Sequence, residues 1–163
     1  MRTFTDSAGR TWTLALTIDA AKRARDLLKV NLLELEAGSP PLLTRLGTDV
    51  ILLCDVIYAL VKPQADAAGV TDAQFGAALG GEVILAAQTA FYEELVDFFR
   101  KLGRSDLAKA VAAQRKMIDL AVQRIETRID RLDLAAVVET SLESTRGEPS
   151  TSLPASPAAP PAP

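Results

Sequence analysis

Few residues in this chain have the type and spacing to do chemistry. Glu93, Glu94 and Asp97 fall within one helical turn, and Glu93 and Asp97 share a face at i, i+4 spacing. Paired carboxylates of this kind serve acid–base catalysis or hold a hard cation. Neither use is completed: no second carboxylate pair matches them, and the chain has no histidine to finish a di-iron pattern. These carboxylates therefore read as a solvated helix face. Asp55 interrupts the apolar run Val50 to Val61, where a carboxylate must reach solvent or pair with a base such as Arg45. A position at the helix edge is expected. Cys54 sits among Leu52, Leu53, Val56 and Ile57, with nothing in the sequence to lower its pKa, and reads as a small apolar core residue. Between Lys29 and Asp49 no glycine-rich run precedes a Lys-Ser or Lys-Thr pair, and Gly80-Gly81 reads as a hinge between helices.

Composition narrows the function classes further. The 163 residues include 18 Lys or Arg against 21 Asp or Glu, a formal net charge of -3. Hydrophobic residues make up 48%, enough for one domain with its own core. Without histidine there is no Ser-His or Cys-His nucleophile pair and no imidazole metal ligand. The single cysteine makes neither an internal disulfide nor a thiolate zinc site. The mildly acidic balance argues against nucleic acid as a partner. Val50 to Val61 is too short to span a bilayer, which takes about 20 helical residues, so no membrane partner is expected. Met1 to Arg10 lack the basic-then-apolar pattern of a secretory leader. The expectation is a cytoplasmic, non-enzymatic binding or assembly protein with no cofactor, no metal site and no catalytic residue.

The fold class expected is α+β and predominantly helical. Phe4-Thr5, the turn-type cluster Asp6-Ser7-Ala8-Gly9 and the alternating run Arg10 to Leu16 form a β-hairpin, with Trp12, Leu14 and Leu16 on one face. A lone hairpin is marginal, so it must pack on helices. Thr17 or Asp19 caps a first helix with Ala20, Ala21, Ala24, Leu27 and Leu28 inward. Lys22, Arg23, Arg25 and Lys29 form its wet outer face. Val30 to Leu35 fits either a helical extension or a third short strand beside the hairpin, and the strand is preferred. After Gly38-Ser39-Pro40-Pro41 a short helix covers Leu42 to Leu46. Thr48 or Asp49 then caps a helix to Lys62 that is apolar on most sides and so central. Pro63 starts or kinks a further turn, Gly69 ends it, and Thr71 caps a helix over Asp72 to Leu79. Glu82 to Leu102 forms a longer helix with stripes Ala87, Phe91, Leu95, Phe98 and Tyr92, Val96, Phe99.

From Ser105 to about Leu142 a last helix repeats Val111, Ile118, Ile125 and Leu132 every seven residues. At 1.5 Å per residue it reaches about 50 Å, longer than a small domain's core requires, so part of it should pack on a partner or a second copy. Six of the 9 prolines fall after Ser144. Residues 144–163 are thus expected to be a disordered Ser/Thr/Pro/Ala-rich tail, leaving 1–143 as a single domain.

The order of these features resembles the tail assembly chaperones of tailed bacteriophages and prophages. The likeness is carried by the Phe4-Thr-Asp-Ser-Ala-Gly-Arg-Thr-Trp12 hairpin, Leu32-Leu33, and Leu42-Leu43-Thr-Arg-Leu46. It continues through Asp55-Val-Ile-Tyr58-Ala-Leu, Pro63-Gln64-Ala65, Gly69-Val-Thr, Phe75, Leu79 and Glu94-Leu-Val-Asp-Phe-Phe99. It spans roughly Phe4 to Arg100 and is one of layout and composition. The resemblance implies a small, mostly helical protein that coats the long tape measure protein before tube subunits polymerise around it. Such a client is helical and amphipathic, and helix-in-groove packing repeated along it would give avidity. The family's contact residues do not carry over position by position. The expected binding surfaces are the exposed parts of the helix bearing Phe91, Leu95, Phe98 and Phe99, and the seam Ile118, Ile125 and Leu132. The rival readings are a homo-oligomeric structural or adaptor protein built on the last helix, and a small regulator of a transcription component.

Overall fold

The computed structural model describes residues 1–131. The polypeptide is mainly helical, with a small antiparallel sheet at its N-terminus packed on helices. Strands β1 (Arg2–Thr5) and β2 (Thr11–Leu14) pair in the register Arg2↔Leu14 and Phe4↔Trp12. The alternation of the sequence turns Phe4, Trp12 and Leu14 into the core. Gly9, at φ 78°, supplies the left-handed residue that closes the turn.

Helix α1 (Ile18–Leu28) starts at Thr17, whose hydroxyl accepts from the Ala20 N–H at 3.1 Å. Its buried face is Ala20, Ala21 and Ala24, small side chains that set the helix close to α3 (Val50–Ala67). Leu27, expected inward, is exposed. Between them lies α2 (Leu42–Thr48), and after α3 come α4 (Asp72–Ala77), α5 (Glu82–Lys101) and α6 (Ser105–Arg131). Thr71 and Gln74 close a capping box at the start of α4. The hairpin lies against α5 through β1 and against α3 through β2. Met1–Val122 forms one compact unit; of the second unit, which starts at Gln123, the described part is the end of α6.

Val30 to Leu35 does not form the third strand. Lys29 takes a left-handed conformation (φ 58°) that ends α1, and successive turns follow, Glu34 N–H to Asn31 O at 3.0 Å and Ala37 N–H to Glu34 O at 3.1 Å. Val30, Leu32 and Leu35 are buried all the same, because the turns point them inward. A physical reason lies at the sheet edge. The Gln64 side-chain amide accepts from the Thr13 N–H at 3.0 Å and donates to the Thr13 carbonyl at 2.7 Å, so the outer edge of β2 is already paired at Thr13.

Pro63 does not start a separate turn; α3 runs through it to Ala67. Proline has no N–H to give the carbonyl four residues back, that of Ala59. Arg23 of α1 supplies the donor, its Nη1 lying 3.1 Å from the Ala59 oxygen and 3.2 Å from that of Leu60. Arg23 therefore leaves the wet face expected of it and ties α1 to α3. The tail, and the last helix beyond Arg131, lie outside the described residues.

Candidate functional site

The carboxylates of α5 are not a solvated face. Glu93 Oε1 lies 2.6 Å from Arg115 Nη1 of α6, and its Oε2 lies 3.4 Å from Arg2 of β1. Asp97 accepts from Arg2 Nη2 at 2.8 Å and has Arg100 at 3.8 Å. The hydrogen bond from Arg2, aided by its charge, holds the Asp97 carboxyl below its ordinary range. Glu94 is buried and accepts the Leu16 N–H at 3.0 Å, which anchors the end of the hairpin on α5; its other oxygen is 2.7 Å from the Met1 amino group. Carboxylates occupied in this way clamp β1 and α6 to α5. The charged groups around Glu93 and Asp97, with Lys116 and Asp119, line an open cleft of about 370 Å³ in which each of those two carboxylates already faces an arginine. Among the described residues no group of His, Cys, Asp and Glu is arranged to hold a metal ion.

A second carboxylate escaped the sequence reading. Asp6, in the hairpin turn, is buried and accepts from the Ala8 and Arg10 N–H groups, Arg10 Nε and Trp12 Nε1, all at 2.8–3.0 Å. Burial opposes its ionisation, but hydrogen bonds from the Arg10 backbone, the Trp12 indole and the Arg10 side chain outweigh that and hold its carboxyl below the usual range. Its role is to fix the turn and the Trp12 ring, which meets Phe75 edge-on at 5.3 Å. The signal was present in the sequence, since an Asp opening a tight turn often bonds the backbone two residues on.

The aromatic surface expected on α5 is largely consumed by the core. Phe91, Leu95 and Phe99 are at most 1% exposed, and Tyr92 is fully buried beside Phe91. Only Phe98 of that set is half-buried. Those three side chains do not form a docking face on this chain; they are buried in the core, where β1, β2 and α3 pack on α5. Burial pushes the Tyr92 hydroxyl up to about 12, and it has no hydrogen-bond partner among the described residues.

Uncovered apolar side chains lie elsewhere. On α6, Leu107 and Val111 are buried, Ile118 is half-buried, and Ile125, seven residues on, is 59% exposed. Leu132, the next of that series, lies outside the described residues. Met117 and Leu120, on another face of the helix, are 67% and 44% exposed. At the start of α3, Ile51 is 75% and Val50 48% exposed, so the helix is not central along its whole length. These two border a cleft of about 360 Å³ shared with Cys54, Asp55, Phe75 and Gly76. Cys54 is half-buried there, its thiol pushed up by burial and by Asp55. Asp55 is half-buried with no ion pair among the described residues, so Arg45 does not pair with it. Burial, then the nearby charges of Asp72 and Asp49, raise its pKa.

What this arrangement offers is helix-packing surface. Among the described residues no helix is long and apolar enough to cross a membrane. Compared with family models, curated proteins and solved structures, the chain matches none.

Proposed function

We propose that this chain is a non-enzymatic tail assembly chaperone of a tailed bacteriophage or prophage, which works in the host cytoplasm, binds the helical tape measure protein and keeps it soluble. The layout of motifs between Phe4 and Arg100 supports the reading. The observation that carries it is the apolar series on α6, buried at Val111, half-buried at Ile118 and 59% exposed at Ile125. An amphipathic client helix laid on Ile125 would meet an apolar side chain flanked by the exposed cations Arg124 and Arg128. The test is co-expression with a tape measure protein, followed by pull-down and light scattering on the complex. The client should be soluble only with the chaperone, and Ile125→Lys should abolish the complex while leaving helicity and melting temperature unchanged. A client equally soluble without this chain, or bound equally well by Ile125→Lys, refutes the reading.

A further inference from the structure

We infer that the cleft between α3 and α4 holds the outer face of α6 from a second copy of this chain. The cleft has the features of a helix seat. Phe75 closes its floor, and Ile51 stands on its wall at 75% exposure. Gly76 lies within α4, and a Cβ placed on it meets nothing within 4 Å. The packing of α4 on its own body therefore does not require a glycine, which inside a helix costs about 1 kcal/mol relative to alanine. Its effect is a flat patch where another backbone can approach closely. Asp49, Asp55 and Asp72 stand at or near the rim, and none is ion-paired among the described residues. An occupant that complements these features is a helix with an apolar line and cations beside it.

The chain carries such a helix face. Lys109, Ala113, Lys116, Met117 and Leu120 recur at i, i+4, i+7, i+8 and i+11 along α6, and all five are exposed. Neither lysine is ion-paired among the described residues. At 100° per residue this face points away from the line of Leu107, Val111 and Ile118. Cleft and helix face are different patches, which makes the contact heterologous: each copy gives one and takes one. The inference does not depend on the chaperone reading, because it concerns the chain alone.

The experiment is sedimentation velocity and light scattering on the full chain without client, from micromolar to millimolar concentration. Self-association is expected, either closing as a ring of fixed mass or growing with concentration. Ile51→Arg should weaken it at least tenfold. Asp55→Lys and Lys116→Glu should each weaken it several-fold, and the double variant should recover most of the loss. Gly76→Gln fills the cleft without touching its own fold; it should melt no lower than the parent yet associate less, which separates lost docking from misfolding. A chain that stays monomeric throughout overturns the inference, as does association unchanged by Ile51→Arg and Gly76→Gln. A monomer whose Ile51→Arg variant loses the tape measure protein would instead assign the cleft to the client.

Discussion

Replacing Arg23 by methionine tests the link between a proline in the middle of a helix and a cation from another. The substitution keeps the aliphatic stem and removes the guanidinium that donates to Ala59 and Leu60. With Pro63 in place, the Ala59 carbonyl then has no donor four residues on. A hydrogen bond from a charged group is worth about 1.5–3 kcal/mol. The bonds here are only part-buried, so a loss of about 1–2 kcal/mol is expected, or a melting point lower by about 3–8 °C for a chain of this size. In a Pro63→Ala background residue 63 has its own N–H, and the helix bond to Ala59 can form. There Arg23→Met should cost less by about 1 kcal/mol, the coupling energy of a double-mutant cycle. Urea unfolding of the four proteins at constant m-value measures it. Arg23 also pairs with Asp19 at the surface, so Asp19→Ala serves as the control and should cost at most about 0.5 kcal/mol. If Arg23→Met costs the same in both backgrounds, Arg23 does not satisfy the carbonyl freed by Pro63.

Substitutions at three further positions probe buried polar groups. Asp6→Ala leaves the Trp12 indole and two turn N–H groups without their acceptor, and should cost about 2–4 kcal/mol in urea unfolding. Because the folded pKa of Asp6 is depressed, its contribution is complete above the unfolded value of about 4 and fades as pH falls through the folded pKa. Asp6→Asn should flatten that part of the stability–pH curve. Glu94→Ala orphans the Leu16 N–H and should cost about 2–3 kcal/mol, whereas Glu94→Gln, which keeps an acceptor oxygen, should cost less than half of that by the same assay. Tyr92→Phe removes a buried hydroxyl with no partner among the described residues and should leave thermal stability unchanged or raise it by about 1 kcal/mol.

Local signals in the sequence located most elements. The hairpin was legible because period-two alternation and a turn cluster coincide at Asp6 to Leu16, and Thr17, Asp49 and Thr71 each cap the helix expected of them. Long-range pairing was not legible. Nothing near Glu93 or Asp97 announces Arg2, some ninety residues earlier in the chain, as the cation beside them. Val30 to Leu35 misled because a short apolar run suits a strand or a set of turns equally, and the deciding fact, Gln64 on the edge of β2, is tertiary. The aromatic face of α5 was read correctly as apolar, but periodicity does not say whether such a face meets the body of its own chain or another. The same limit applied in reverse to Ile51, which belongs to an apolar run yet stands at a helix start that nothing covers. Gly47 gave no signal at all, although a Cβ there would press on the end of the Gln114 side chain of α6, which would have to move aside.

The amount of apolar surface left open bears on how such a protein can work. Ile125 is one large side chain, and Ile51 with Val50 are two; burying each fully contributes about 1.5–3 kcal/mol. Association itself costs at least about 4 kcal/mol in lost translational and rotational freedom. A single contact at either surface is therefore weak. It becomes effective only by repetition, when neighbouring copies on one long client raise each other's effective concentration. On the proposed reading this weakness has a use, because a chaperone that must leave as tube subunits arrive cannot hold its client tightly at any one point. The copy-to-copy contact then sets how sharply coating depends on chaperone concentration. Breaking it with Gly76→Gln should make coating of the tape measure protein less cooperative, while leaving the affinity of one copy for a short client segment unchanged.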